Sequence, residues 1–370
     1  MRTLVKSLND GQFLLGSFAT NCSGGMSPTK IANRWSASWE DNLRLARLLD
    51  DAGIDFMLPI ARWIGYGGET DFHGSVLEPV AWAGGLLSAT RRISVFSTIQ
   101  VVASHPVVMA KQIATLDQMG GGGRAGLNIV AGWNEPEYRA LGLTLPEGHE
   151  ERYAYAQEWF DIVQALWTSE EPFDWNGENF QLSGVYGKPG PFDGRPPIFN
   201  AAGSAEGRRF ALRNADFLFT PAIDIERSKM EIAGLNATAK EMGRDVRVLT
   251  FSHVVCRPTE AEARDYVRYF VDENGDGEAV DNLVRLQFAH AQSFPHDLLK
   301  LIRDRMAMGH GGFPLVGTPE QVAEGIAALA QAGFSGTTLS FVDYVEEFPY
   351  FRDTVLPLLK QMGIRLPSTA

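Results

Sequence analysis

Short apolar runs alternate eight times with longer stretches of helical periodicity. That alternation constrains the fold more than any other feature of the chain. The runs expected to be strands are Gln12–Phe18, Ile54–Ile60, Ile93–Thr98, Ala125–Val130, Pro197–Ala201, Phe217–Thr220, Val246–Cys256 and Thr337–Phe341. Each is followed by a helical pattern. Ser38 reads as an N-cap with Asp41 at its third helical position, Leu43, Ala46 and Leu49 share one face, and Gly53 closes that helix. Helices are then expected near Leu77–Ala89, from Pro106 to Met119, and over His149–Thr168, Glu206–Asn214, Glu226–Met242 and Glu347–Met362. Thr259 with Glu262, and Thr318 with Gln321, have capping-box spacing. Eight βα units without runs of consecutive strands predict an α/β fold, a (β/α)8 TIM barrel. A doubly wound open sheet is the structural alternative.

The chain has 370 residues, which leaves one or two domains open by length alone. Such a barrel takes roughly 250 residues. The excess is assigned to two insertions, near 169–196 and 274–313, in a single barrel domain spanning 1–370. Both insertions break the alternation with Gly, Pro and aromatic residues, and loops of that length often form lids or binding segments. A net charge of -12 argues against nucleic acid as a partner, since affinity for polyanions comes from clustered Lys and Arg. No apolar run approaches the roughly 20 residues of a membrane helix. Cys22 and Cys256 are too few and too far apart for a disulfide framework or a cysteine zinc site. Near the N-terminus, Ser7, Asn9 and Asp10 interrupt any signal-peptide core behind Arg2 and Lys6, so the expected compartment is the cytoplasm.

Several motifs carry less than they first suggest. Gly120–Gly123 follows a helix and precedes a strand, the wrong order for a dinucleotide loop, and reads as a flexible turn at the bottom of the barrel. Asp272, Asn274, Asp276 and Gly277 begin like a calcium loop, but the twelfth position is Leu283, so a solvated acidic turn is expected. No histidines stand in an HxxxH or HxH pair, no metal site is expected, and no GxSxG elbow is present.

The chemistry-bearing residues gather instead at the expected C-terminal strand ends, where barrel active sites lie. Strand two ends in Leu58-Pro59-Ile60-Ala61-Arg62, followed by Gly65-Tyr66-Gly67-Gly68. Strand three ends at Thr98. Strand four carries Asn128 and leads into Gly132-Trp133-Asn134-Glu135-Pro136-Glu137-Tyr138, and strand five ends in Asn200-Ala201-Ala202-Gly203-Ser204.

These stretches, with Ala114-Thr115-Leu116-Asp117, Leu127-Asn128-Ile129-Val130-Ala131-Gly132-Trp133 and Glu151-Arg152-Tyr153, resemble the bacterial-luciferase-like flavin-dependent monooxygenases. The resemblance is to the branch of the uracil (pyrimidine) and dimethyl sulfone monooxygenases. It covers Phe18 to Thr220 well, and continues more loosely through Val316-Gly317-Thr318-Pro319 and Leu339-Ser340-Phe341. It implies FMN as cofactor, delivered as FMNH2 by a transiently bound flavin reductase. It also implies O2, a small-molecule substrate and a homo-oligomer, dimer or tetramer. Ala61, Arg62, Asn128, Glu137, Arg152, Tyr153, Gly203 and Ser204 are the implied flavin contacts. Gly203 and Ser204 precede a helix, whose N-terminal N–H groups suit a phosphate. Leu58, Thr98, Asn128 and Trp133 are the implied catalytic oxygen pocket, with Thr98 and Asn128 as donors and Leu58 and Trp133 excluding water. The resemblance favours a flavin N5-peroxide, with the adduct at the 4a carbon left open.

Trp35, Trp39, Trp63, Tyr66 and His73 are expected to surround the substrate. The Asn21-Cys22-Ser23-Gly24-Gly25 stretch with Lys30-Ile31 leans toward the sulfone enzymes, so the features are mixed and no substrate carries over. The function expected is oxygenation or cleavage at a C–N, C–S or C–halogen centre. The alternatives are a deazaflavin-dependent oxidoreductase on the same barrel and a non-catalytic flavin-binding protein.

Overall fold

The β-rich runs form a parallel sheet that closes on itself. The computed structural model describes residues 8, 11–288 and 296–366. The reading of Arg2, Lys6, Ser7, Asn9 and Asp10, and the Phe294-Pro295 part of the second insertion, lie outside the described residues. The ring strands are β1 (Leu14–Phe18), β2 (Phe56–Leu58), β3 (Ser94–Gln100), β4 (Ala125–Val130), β7 (Ile198–Ala201), β8 (Phe217–Phe219), β9 (Arg247–Cys256) and β11 (Gly336–Ser340). They pair in parallel in that order, and β11 pairs with β1 through Leu14 and Gly336, which excludes the open sheet.

Helices lie between the strands: α1 (Trp39–Ala52), α2 (Pro79–Ala89), α3 (Pro106–Met119), α4 (Glu135–Ala140), α5 (Gly148–Thr168), α6 (Ala205–Asn214), α7 (Ile225–Glu241), α8 (Glu260–Val267), α9 (Gly277–Gln287), α10 (His296–Gly309), α11 (Pro319–Gln331) and α12 (Tyr344–Gln361). Their ends follow local chemistry. The Ser38 hydroxyl accepts from Asp41 N at 3.1 Å, and Gly53 takes a left-handed φ of 76° to end α1. Both predicted capping boxes, at Thr259 and Thr318, form with all their hydrogen bonds.

Four elements go beyond the sequence expectation. Within 169–196, β5 (Phe173–Asn176) and β6 (Gln181–Val185) make an antiparallel hairpin. The Phe313–Gly317 segment is a ninth parallel strand, β10, on the upper half of β9 from Ser252 to Cys256. Pro314 and the adjoining glycines hide it in the sequence. A proline lacks the ladder N–H and is tolerated on such an edge. The short α4 also went unforeseen.

The barrel interior is packed with aromatic rings. Phe56, Phe96, Phe199, Phe217 and Phe219 meet Leu14, Leu58 and Leu249 there. The Phe96 and Phe199 rings lie 4.6 Å apart, and those of Phe199 and Phe217 4.7 Å. Gly126 makes room for this layer, because a Cβ at that position would lie 2.1 Å from the Phe96 ring. A larger apolar shell fills the space between strands and helices.

Two bland readings need correction. The Gly120–Gly123 turn is a bonded bracket rather than a flexible link. Asp117 accepts from Gly123 N at 2.6 Å and Phe192 N at 2.8 Å, and Arg124 Nε donates to Gly120 O at 2.9 Å. Asp276 is buried rather than solvated. It accepts from the amide and hydroxyl of Thr70, both at 2.7 Å, and caps α9 at Ala279 N. Among the described residues, no helix is long and apolar enough to cross a membrane.

Candidate active site at the C-terminal face of the barrel

Strand pairing brings Thr98 of β3 beside Asn128 of β4. The Asn128 Nδ2 donates to Thr98 Oγ1 at 3.0 Å, and the Thr98 hydroxyl donates to Pro59 O. This chain of bonds changes the expected roles. The Thr98 proton is committed to the backbone, so Thr98 fixes Asn128 rather than facing the cavity as a donor. Asn128 is buried, with Oδ1 unpartnered among the described residues and one amide proton to spare. Leu58 is buried in the barrel layer next to this pair. Trp133 sits at the rim and is 36% exposed, with the Arg62 guanidinium 5.2 Å from its ring centroid. The four residues therefore divide into a buried trio and a rim residue.

Glu137 organises the loop after β2. Its Oε1 accepts from Trp63 N at 2.5 Å, and its Oε2 from Gln100 Nε2 at 2.7 Å. Arg62 lies 3.5 Å from the same carboxylate, and both partners are buried. Glu137 thus holds protein groups on both oxygens, which makes it a positioning residue here. Ala61 adds its carbonyl to the Gln100 amide at 3.5 Å.

Gln100 escaped the sequence reading, and Asn200 was read only as the polar end of strand five, with no role given to it. Gln100 shares the inward face of β3 with Thr98, two residues away, and that period was the available signal. The Gln100 Oε1, Asn200 Oδ1, Asn134 Oδ1 and Tyr138 hydroxyl are all buried without a partner among the described residues. Asn21 was read only as part of the stretch that leans toward the sulfone enzymes, and its structural role was missed. It ties the first two loops together through Ile60 O at 2.8 Å, Leu77 O at 2.9 Å and Ile60 N at 2.9 Å.

A second cluster forms where β7 meets α6. Ser204 caps α6 by accepting from Gly207 N at 3.1 Å. A Cβ at Gly203 would meet nothing within 4 Å, so there is open space beside the residue that leads into the helix N-terminus. Tyr153 of α5 comes so close that a Cβ at Gly207 would lie 2.4 Å from its hydroxyl. Burial pushes that phenol up to about 12, so it stays a donor. Arg152 is half-buried, and its Nε donates to Pro146 O at 2.8 Å rather than pairing with Glu150 or Glu151.

The proposed substrate-side residues separate. Tyr66 and His73 are buried together, with ring centroids 5.5 Å apart. Trp63 is 50% exposed at the rim. Trp35 is buried with its indole N–H on Thr20 O at 2.7 Å. Trp39 does not belong here. It starts α1 on the outside of the barrel and covers Gly85 of α2, where a Cβ would lie 2.3 Å from its ring. Burial pushes the Cys22 thiol up to about 12, so it is no thiolate. A cavity of about 230 Å³ lies behind Phe72, lined also by Ser27, Arg34 and Thr70.

Residues 14–336 match the luciferase-like monooxygenase family. The chain is 31% identical over 354 residues to the FMNH(2)-dependent dimethylsulfone monooxygenase of Pseudomonas fluorescens, covering 94% of each. It is 28% identical to pyrimidine monooxygenase RutA of Acinetobacter baylyi, over 93% of this chain and 94% of that one. The crystal structure of DmoA from Hyphomicrobium sulfonivorans superposes with a TM-score of 0.84 at 19% identity, over 97% of this chain and 90% of that one. A family match over most of the chain, on a closed parallel barrel with its polar residues at the strand ends, settles the assignment: the chain belongs to the luciferase-like monooxygenase family.

Proposed function

We propose that this chain is the oxygenase component of a two-component, FMNH2-dependent monooxygenase acting on a small organic substrate at a C–N, C–S or C–halogen centre. The observation that carries this reading is the set of unpartnered buried polar atoms at one end of the barrel, with open space beside the residue that leads into α6. Buried polar groups are nearly always paired, and each lone one costs about 1–3 kcal/mol. A bound polar cofactor recovers that cost. FMN fits these donors and acceptors: a phosphate suits the α6 N-terminus with Ser204, Tyr153 and Arg152. Asn128, Gln100, Asn134 and Asn200 suit the edge of a polar heterocycle. Reduced FMN supplies the electrons that activate O2.

The protein's own part is positioning and shielding. Thr98 holds Asn128 so that its amide faces developing negative charge without reorganisation. Leu58 and the phenylalanine layer keep the barrel side dry, and Arg62 stacked on Trp133 closes the rim. Glu137 neutralises Arg62 and pins the rim loop. The relatives named FMNH(2)-dependent support the cofactor, and a reductase partner follows from needing it reduced. We extend the proposal to a single barrel unit with two insertions, a cytoplasmic location and a homo-oligomer. A panel of candidate substrates, given with FMN, NADH, a flavin reductase and ¹⁸O2, tests the function. One labelled oxygen atom in a product supports it. Consumption of O2 solely as peroxide across sulfone, amide and halide substrates contradicts it.

A further inference from the structure

The cavity behind Phe72 shares no lining residue with the flavin contacts or the oxygen pocket. It measures about 230 Å³ and is walled by the loops after β1 and β2. An apolar cavity of about 150 Å³ holds benzene, so this one has room for about nine heavy atoms. Phe72 closes it on the side of the barrel mouth, with its ring stacked on His73 at 4.0 Å and on Tyr66 at 5.9 Å. Backbone bonds hold the walls: Ser23 N donates to Ser75 O at 2.8 Å, Gly24 N to Trp35 O at 2.9 Å and Lys30 N to Asn274 O at 2.7 Å. Ala37, next to Ser36, and Asp71 and His73, on either side of Phe72, carry left-handed backbone at φ 58°, 46° and 58°. Strain of that kind persists only where the surroundings enforce it, and it gathers at ligand sites. The cavity is thus preformed, as ligand sites mostly are.

Its hydroxyl groups have already spent their protons. Ser27 donates to Met308 O at 3.0 Å, Thr29 to Asn274 O at 3.2 Å, Thr70 to Asp276 at 2.7 Å, and Ser36 to Asp41. A hydroxyl has one proton, so toward a ligand these four oxygens only accept. Two of them stand in front of a carboxylate, which polarises them into better acceptors. Arg34 is the one ionisable residue in the lining. Its Nη1 donates to Ile31 O at 3.1 Å, and no carboxylate pairs with it among the described residues. Nε and Nη2 remain as a fork that suits a carboxylate. A plain alkyl carboxylate would satisfy Arg34 and leave the hydroxyl oxygens without donors. An uncharged polyol would do the reverse.

We infer that this cavity is a second ligand site, outside the flavin site, for a small carboxylate with a hydrogen-bond donor on its α carbon, a hydroxy acid or an amino acid. The carboxylate accepts from Arg34, and the α-hydroxyl or ammonium donates to the lining hydroxyl oxygens. The apolar part lies against Phe72 and Trp35.

The test is ligand-observed NMR on the full chain saturated with oxidised FMN, using four probes: glycerate, L-serine, propionate and glycerol. Glycerate, L-serine or both are expected to bind at least tenfold more tightly than propionate and glycerol. Preference for glycerate alone narrows the class to hydroxy acids, and for L-serine alone to amino acids. Arg34→Gln should lose that tenfold, while FMN affinity changes less than twofold. Arg34→Lys, which keeps the charge without the fork, should bind the preferred probe more tightly than Arg34→Gln does. Glycerate and L-serine both within twofold of propionate and glycerol overturn the inference. So does an unaltered preference in a folded Arg34→Gln protein. Binding here is independent of the monooxygenase reading: if FMN fails to bind, that reading falls, and titrations without FMN judge this cavity by the same criteria.

Discussion

Asn128 and Thr98 are one unit, and substitutions there should show it. Removing one preorganised donor typically lowers turnover about 10²–10³-fold. Asn128→Leu is therefore expected to cut product formation by about 10²-fold while reduced FMN is still oxidised, its electrons ending in peroxide. Thr98→Val should behave similarly, because Asn128 Nδ2 loses its acceptor. Thr98→Ser, which keeps the hydroxyl, should retain most coupling. Product and peroxide, measured together per reduced FMN consumed, check all three. Equal coupling in Thr98→Val and the parent would remove Thr98 from the account. The residue types at these positions were legible in the sequence, but their division of labour was not. It depends on the Thr98 hydroxyl reaching Pro59 O, a contact between neighbouring strand ends that no spacing along one strand encodes.

Helix α6 and the C-terminal Arg365 show what whole elements contribute. Gly207 sits in the first turn of α6, where alanine would normally favour the helix. Here the added Cβ would press on the Tyr153 hydroxyl at 2.4 Å. Gly207→Ala is expected to weaken FMN binding at least tenfold while leaving riboflavin, which lacks the phosphate, within about twofold. Matched flavin titrations decide it, and equal losses for both would move the phosphate elsewhere. At the opposite end of the barrel, Arg365 closes α12 onto β1 and β2. It donates to Phe13 O at 2.9 Å and Gly53 O at 2.7 Å and pairs with buried Asp55. Removing one partner of a buried pair costs about 3–5 kcal/mol. Arg365→Ala should therefore lower the urea midpoint without altering flavin affinity. The helices were legible because caps and periodicity are local. The β10 strand, the β5–β6 hairpin and α4 were not. They are short, interrupted by Pro or Gly, and exist because β9 and α5 offer them a surface.

At the scale of the molecule, the buried imidazoles set a pH limit. Burial pushes His253 and His310 down to about 3 and His73 well below its usual value. Each folded-state value lies below that of the unfolded chain, about 6.5. Below pH 6.5 the unfolded chain takes up protons that the native state refuses. Stability is thus full above that pH and falls as pH drops toward 3. The loss is about 1–2 kcal/mol per imidazole by pH 5. Urea unfolding at pH 7 and pH 5 checks this, and His253→Phe should flatten the slope. The fold class followed from eight alternations, because a barrel repeats one local rule. The mouth was harder, since Arg62 and His73 come from the loop after β2, and Gln287 and His310 from the end of α9 and the turn after α10, more than 200 residues on, and only the closed ring gathers them. The account stands most directly on one titration, reduced FMN against reduced riboflavin under anaerobic conditions. It predicts saturable binding of reduced FMN at least tenfold tighter than reduced riboflavin. No saturable binding of reduced FMN, or equal affinity for the two, would contradict it.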